Sequence, residues 1–275
     1  VKTSLFILIQ RLLPQHLLSQ WVGKLAASRR PWLKNFLIRL ALRRFPIDMQ
    51  PAAEQDPFAY KSFNAFFTRE LTIPAAKQFP KLPKLGSPAE GVVSQCGGIR
   101  QGALIQAKGR YYSAASLLAF HPWHESFQHG SFATIYLAPH NYHRVHSPVS
   151  GKIVEMAYVP GKLFSVNLAT ADRINSLFSR NERLVFYIET KQGKVALVMV
   201  GALLVAGMNN PFVKWSDKQK RILQKKSFTK PIDIKVGDEL GYFYFGSTVV
   251  MCFEEEQNFV VKENTAVTLG ETIIE

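Results

Sequence analysis

Leu240-Gly241-Tyr242-Phe243-Tyr244-Phe245-Gly246-Ser247-Thr248-Val249-Val250-Met251-Cys252-Phe253 holds two β-like runs separated by Phe-Gly-Ser-Thr. Gly and Ser between such runs read first as a hairpin turn, because both residues satisfy turn geometry locally. A second reading is chemical. A serine hydroxyl in a tight turn can reach back to the carbonyl before it, and the Gly246–Ser247 bond is then the precursor of a cofactor. The tetrapeptide alone does not separate the two readings.

Working outward, the β texture covers residues 86–275. Segments 91–94, 103–107, 133–137, 152–156, 184–188 and 195–200 read as strands punctuated by glycines. Residues 47–85 read as a connector cut by Pro51, Pro57, Pro74, Pro80 and Pro83, with one short helix over residues 60–67. Residues 1–46 read as two or three amphipathic helices. Leu5, Leu8, Ile9, Leu12 and Leu13 recur at helical spacing, Pro14 breaks the segment, and Leu33, Phe36, Leu37 and Leu40 resume the pattern after Pro31. The expected fold class is α+β: a β-rich core over 86–275 with an N-terminal amphipathic helical membrane-association segment. No internal repeat, Walker loop or dinucleotide fingerprint is present.

A hydrophobic content of 47% in 275 residues indicates a globular chain with a sizeable core. Two cysteines, Cys96 and Cys252, make neither a disulfide framework nor a metal-ligand spacing. They point to a reducing compartment and leave one bridge between them open. The net charge is +14, and its distribution says more than its size. Residues 1–46 carry nine basic and no acidic residues, so the other 229 carry only +5. Such a patch suits nucleic acid or an anionic membrane surface. The interleaved Leu, Ile, Phe and Trp favour the membrane, where apolar groups sink below the headgroups and each Lys or Arg adds roughly 1 kcal/mol. Packing of this face on the core is the plainer alternative. The longest apolar runs fall far short of the roughly 20 residues that span a bilayer, and no signal-peptide pattern is seen.

Two further stretches carry chemistry. Ala138-Pro139-His140-Asn141 leads into Tyr142-His143-Arg144-Val145-His146. Two histidines three apart suit zinc only with further ligands, and only His140 lies at useful spacing, so no metal is expected. They suit proton transfer near neutral pH. Ser87-Pro88-Ala89-Glu90-Gly91 is a turn that opens a strand with an acid at its tip. A carboxylate there can orient a histidine as the third member of a nucleophile–base–orienter set. Taken singly, a solvated histidine loop and a surface acid explain these stretches equally well.

Taken together, they resemble one family over nearly the whole chain: phosphatidylserine decarboxylase of the bacterial membrane-associated, pyruvoyl-dependent type. The matching stretches include residues 60–69 (YKSFNAFFTR), 87–91 (SPAEG), 106–109 (QAKG), 142–148 (YHRVHSP), 158–167 (YVPGKLFSVN), 181–183 (NER) and 245–248 (FGST). The resemblance implies a proenzyme that cuts itself between Gly246 and Ser247 into chains 1–246 and 247–275, which stay together. Ser247 Oγ attacks the Gly246 carbonyl, the amide becomes an ester, and β-elimination frees Gly246. Residue 247 then loses ammonia and becomes a covalent pyruvoyl group. The resemblance implies His146 as the base, with Glu90 as its orienter in place of the family's Asp, and His143 in decarboxylation. Phosphatidylserine is implied as the substrate, held as a Schiff base and released as phosphatidylethanolamine. An anionic membrane surface and a homodimer are implied as partners, and the cytoplasmic side of the cell membrane as a peripheral location, with no nucleic acid. Phe245 stands where Leu is common, and Asn141 where some relatives carry an acid. Glu90 keeps a second reading in view, a non-maturing membrane-bound lipid-binding pseudoenzyme of the same fold. A nucleic-acid-binding role rests on net charge alone.

Overall fold

The computed structural model describes residues 2–107, 109–203, 207–216 and 221–275, with side chains from Phe6 onward. The Leu5 side chain and Lys108, both used above, lie outside that set. Prolines set the helical boundaries. Helices α1 (Lys2–Leu12) and α2 (Gln15–Ala26) are separated at Pro14, and α3 (Pro31–Arg44) starts on Pro31, where a missing N–H costs nothing. The short connector helix α4 (Phe63–Phe67) begins where Ser62 Oγ accepts from the Ala65 N–H at 3.1 Å.

Among the described residues fifteen strands follow: β1 (Leu85–Gly86), β2 (Gly91–Gly98), β3 (Ala103–Ala107), β4 (Arg110–Ser113), β5 (Ser131–Leu137), β6 (Arg144–His146), β7 (Gly151–Val159), β8 (Arg183–Thr190), β9 (Gly193–Val200), β10 (Met208–Asn209), β11 (Gln224–Ile234), β12 (Glu239–Phe243), β13 (Ser247–Phe253), β14 (Thr265–Val267) and β15 (Thr272–Ile274). Every strand segment expected from sequence lies within one of them, except that the run 240–244 outlasts β12 by Tyr244. Eight form an antiparallel sheet in the order β11-β7-β8-β9-β13-β5-β2-β14, and β10-β12-β6 form a second sheet. The fold is therefore β-rich with a few helices, an α+β arrangement.

Strand β13 is apolar without alternation because both its faces are covered. Val250 and Cys252 enter one core with Phe132, Phe178 and Tyr187, and Val249, Met251 and Phe253 enter the other with Val145, Leu240 and Phe243. The three-stranded sheet covers this second face. The hairpin reading of residues 245–248 is thereby overturned. β12 pairs with β6 and β10, whereas β13 pairs with β5 and β9, so the chain crosses from one sheet to the other at residues 244–246. Cys252 and Cys96 are both free and belong to cores on opposite faces of the large sheet.

The N-terminal helices dock through buried glutamines. Gln10 Oε1 accepts from the Ser165 N–H at 2.7 Å and Gln15 Oε1 from the Leu163 N–H at 2.8 Å. Helix α3 packs on α4 through Ile38, Ala41, Phe63, Phe66 and Phe67. The outer side of these helices leaves Leu12 77%, Trp21 67% and Trp32 68% exposed, with Leu17, Phe36 and Leu40 among them. Among the described residues no helix is long and apolar enough to cross a membrane.

Candidate active site

The site forms where the two sheets meet. Ser247 is the first residue of β13 and lies opposite Leu137 of β5. It is fully buried, and its Oγ has no hydrogen-bond partner. A Cβ on Gly246 would stand 3.3 Å from the Leu137 carbonyl oxygen, so glycine lets the Gly246–Ser247 bond run close against β5. Aromatic packing pins the crossover. The Phe245 ring stacks on Phe67 with centroids 5.1 Å apart and planes within 4°, and Phe67 in turn lies 4.1 Å from the His143 ring.

His143 is fully buried. Its Nδ1–H donates to the Asn141 carbonyl at 2.7 Å, which leaves Nε2 as a lone pair with no partner. Burial pushes its pKa down to about 3, against a smaller upward pull from the Asn141 bond. His146 is held differently. Its Nδ1–H donates to the Gly237 carbonyl at 2.9 Å, and its Nε2 accepts from the Tyr142 hydroxyl at 3.0 Å. Burial lowers its pKa as well. Depressed pKa values leave the imidazoles neutral at pH 7, the state a base requires.

Glu90 does not reach His146. Its Oε1 accepts from Asn141 Nδ2 at 2.7 Å, and Asn141 Oδ1 accepts from the Ala138 N–H at 2.9 Å. The Asn141 main-chain carbonyl is the group that fixes the His143 tautomer, so Glu90 bears on His143 through Asn141. The expected Glu90–His146 contact is replaced by the Gly237 carbonyl. The turn is still tied to β6, since the His146 N–H donates to the Pro88 carbonyl at 2.9 Å. The carboxylate itself lies on the Asn141 side, where it also acts on the buried guanidinium of Arg69. Arg69 donates from Nη2 to the His140 carbonyl at 3.1 Å. Arg144 braces the whole unit, bonding Glu239 at 2.7 Å, Glu70 at 3.0 Å and the Thr68 carbonyl at 3.0 Å. Among the described residues no cluster of three or more His, Cys, Asp or Glu converges on a metal position.

Asn141 was noted from sequence only as a departure from the family pattern, and Tyr142, Phe67 and Arg69 were given no role. All four lie inside the matching stretches or directly beside them, but their contacts join segments up to 76 residues apart. No local pattern announces such contacts.

The buried histidines make stability pH-dependent. Between His143's folded pKa of about 3 and the ordinary 6.5, the unfolded chain binds a proton that the folded chain does not. Stability is therefore full above pH 6.5 and falls as pH drops below it, by about 2 kcal/mol at pH 5 from this residue alone. Urea midpoints at pH 7.5 and pH 5 measure this; equal midpoints contradict it.

Comparison with known proteins tests the family resemblance. A family model described as phosphatidylserine decarboxylase matches residues 63–275, and a second, described as PSD, matches residues 5–46. The chain belongs to the phosphatidylserine decarboxylase family. A phosphatidylserine decarboxylase proenzyme of Azotobacter vinelandii is 45% identical over 258 residues, covering 92% of this chain and 90% of the relative. That of Alcanivorax borkumensis is 45% identical over 263 residues, covering 93% and 89%. That of Ectopseudomonas mendocina is 43% identical over 272 residues, covering 97% and 95%. All three phosphatidylserine decarboxylases are named as proenzymes. In this family member the Gly246–Ser247 bond sits at the crossover between two sheets, with its hydroxyl buried.

Proposed function

We propose that this chain is the precursor of a pyruvoyl-dependent enzyme that decarboxylates phosphatidylserine to phosphatidylethanolamine at a membrane surface. One observation carries the reading most directly: Ser247 Oγ is buried and unpartnered at the bond where the family resemblance places the cut. A buried hydroxyl without a partner is uncommon in a native structure and points to function. Attack by Ser247 Oγ on the Gly246 carbonyl forms the ester and frees the residue 247 amine. His146 takes the hydroxyl proton once its Nε2 leaves Tyr142, an exchange of one hydrogen bond that costs about 1 kcal/mol. β-Elimination then releases the Gly246 carboxylate. Residue 247 takes up water and loses ammonia.

The residues present fit the resulting group, since its atoms are those of residue 247 and its place in β13 is fixed by pairing on both sides. Its carbonyl supplies an electron sink for the pair left when carbon dioxide departs. His143 holds a lone pair at Nε2 through the Asn141 bond; it takes up there a proton shed by the substrate ammonium and gives it to the substrate α-carbon when carbon dioxide has left. Glu90 positions His143 by way of Asn141. Glu90→Gln keeps an acceptor for Asn141 and is expected to mature and turn over within about threefold of wild type. Glu90→Ala is expected to mature but to turn over about tenfold more slowly. Carbon dioxide release per mole of matured chain measures both, and loss of maturation in Glu90→Gln would return Glu90 to the orienter role.

Membrane association is read from the exposed Leu12, Trp21, Trp32, Phe36 and Leu40 on helices that hold no acid. An apolar cavity of 340 Å³ between α2 and α3 ends at Phe63 and Phe245, beside the scissile bond, and offers a path for an acyl chain. Replacing Trp21, Trp32 and Phe36 by Ser is expected to lower vesicle co-sedimentation at least tenfold. Unchanged sedimentation contradicts the membrane reading.

A further inference from the structure

A second cavity lies along the same end of the large sheet, and the proposed reaction does not use it. Thr248, Val200, Arg183 and Val159 stand side by side in one row across β13, β9, β8 and β7. Past Val159 the chain turns through Gly161, where a Cβ would meet main-chain atoms of Asn181 and Arg180 at 2.4 and 2.5 Å. Only glycine permits this approach. Lys162 is then fixed from both sides, donating its N–H to the Arg180 carbonyl at 2.8 Å and accepting from the Glu182 N–H at 2.9 Å. The α1–α2 corner closes over it, with His16 Nε2 2.9 Å from the Gly161 carbonyl oxygen.

Between corner and turn is a cavity of 590 Å³ lined by Arg11, His16, Lys162, Phe164 and Arg180. The Arg180 guanidinium lies over the Phe164 ring at 5.5 Å, which sets its direction. Among the described residues, Arg11, Lys162 and Arg180 take part in no ion pair. Glu182 faces His16 at 3.9 Å instead. Exposed Leu12 and Leu17 stand at this corner.

Three cations that take part in no ion pair among the described residues, around one cavity, suit a phosphate group. The apolar residues beside them suit the lipid that would carry it. Three strand spacings separate β13 at Ser247 from β7 at Val159, about 14 Å. In phosphatidylserine the amine nitrogen and the phosphorus are four bonds apart, at most about 6 Å. Ser247 alternates with Thr248 along β13 and so faces the core of Val249 and Met251, whereas Phe164 of the cavity belongs to the core of Val250 and Cys252 on the opposite face, so one lipid does not place its amine at residue 247 and its phosphate in this cavity. We infer that the cavity binds the phosphodiester headgroup of a second, anionic phospholipid, and so ties the α1–α2 corner to the bilayer beside the site. This rests on the membrane reading above.

The test compares three full-length proteins on phosphatidylcholine vesicles with and without phosphatidylglycerol. They are wild type, Lys162→Gln/Arg180→Gln, and Lys226→Gln/Lys230→Gln, which removes the same charge from exposed positions of β11. The cavity variant is expected to lose at least tenfold more affinity for the phosphatidylglycerol vesicles than the β11 variant. A conservative Lys162→Arg chain is expected to bind like wild type, which rules out misfolding as the cause. Equal losses in the two double variants, with wild type still bound, overturn the site and leave the membrane reading standing. Wild type that binds neither vesicle overturns both. Stabilisation of wild type by inorganic phosphate, lost in the cavity variant while vesicle binding is unchanged, overturns the lipid assignment in favour of a free-phosphate site.

Discussion

Ser247→Ala is expected to remain a single uncut chain without decarboxylase activity, yet to fold as wild type does. The contrast follows from the geometry. Ser247 Oγ makes no hydrogen bond, so its removal leaves no orphaned partner and forfeits no bond. The change in folding stability should stay below about 1 kcal/mol. The chemical loss should be complete, because in the proposed mechanism the same oxygen is the nucleophile and the whole of the pyruvoyl group derives from this residue. A denaturing gel and a melting curve on the same sample separate the two effects. A Ser247→Ala chain that is cut, or that still releases carbon dioxide from phosphatidylserine, contradicts the account.

The two histidines should divide the chemistry. His143→Ala is expected to mature and then release carbon dioxide at least 100-fold more slowly per matured chain, within the range ordinary for a lost general acid–base group. His146→Ala is expected to stay largely uncut. Both replacements empty a buried position, and His143 also loses its contact with Phe67, so each should cost about 2 kcal/mol of stability. Comparable stability costs with opposite outcomes on the gel make a general folding defect a poor explanation. The reverse pattern, an uncut His143→Ala and a cut His146→Ala, would exchange the two roles.

The fold was legible in the sequence wherever a short-range rule applies. Runs such as 195–200 and 249–253 are short, Val-rich and apolar and so read as strands, and Pro14 and Pro31 mark helix boundaries by missing N–H groups. Pairing was less legible. Nothing in Phe245-Gly246-Ser247-Thr248 distinguishes a hairpin from a crossover, because turn residues encode the bend and not the strand that receives it. Within the site, residues 87–91 and 142–146 announced acid and base chemistry, but not the wiring between them. The Glu90 side chain comes to Asn141, and the Gly237 carbonyl, which no side-chain pattern reveals, holds His146 instead. The Phe245–Phe67–His143 column joins three distant segments through ring faces. It became visible only once the segments were placed in space.

Maturation should leave the assembly intact. Residues 247–275 pair β13 with β5 and β9, β14 with β2 and β15 with β1, and a cut before Ser247 removes none of these pairings. Intact-mass measurement of the purified, denatured protein therefore tests the central claim most directly. Two chains are predicted, one ending at Gly246 and one of 29 residues from position 247 to 275. The smaller should be lighter by one ammonia than the same peptide beginning with serine, and should react with a carbonyl reagent. A single uncut chain, or a small chain with a free serine N-terminus, would contradict it.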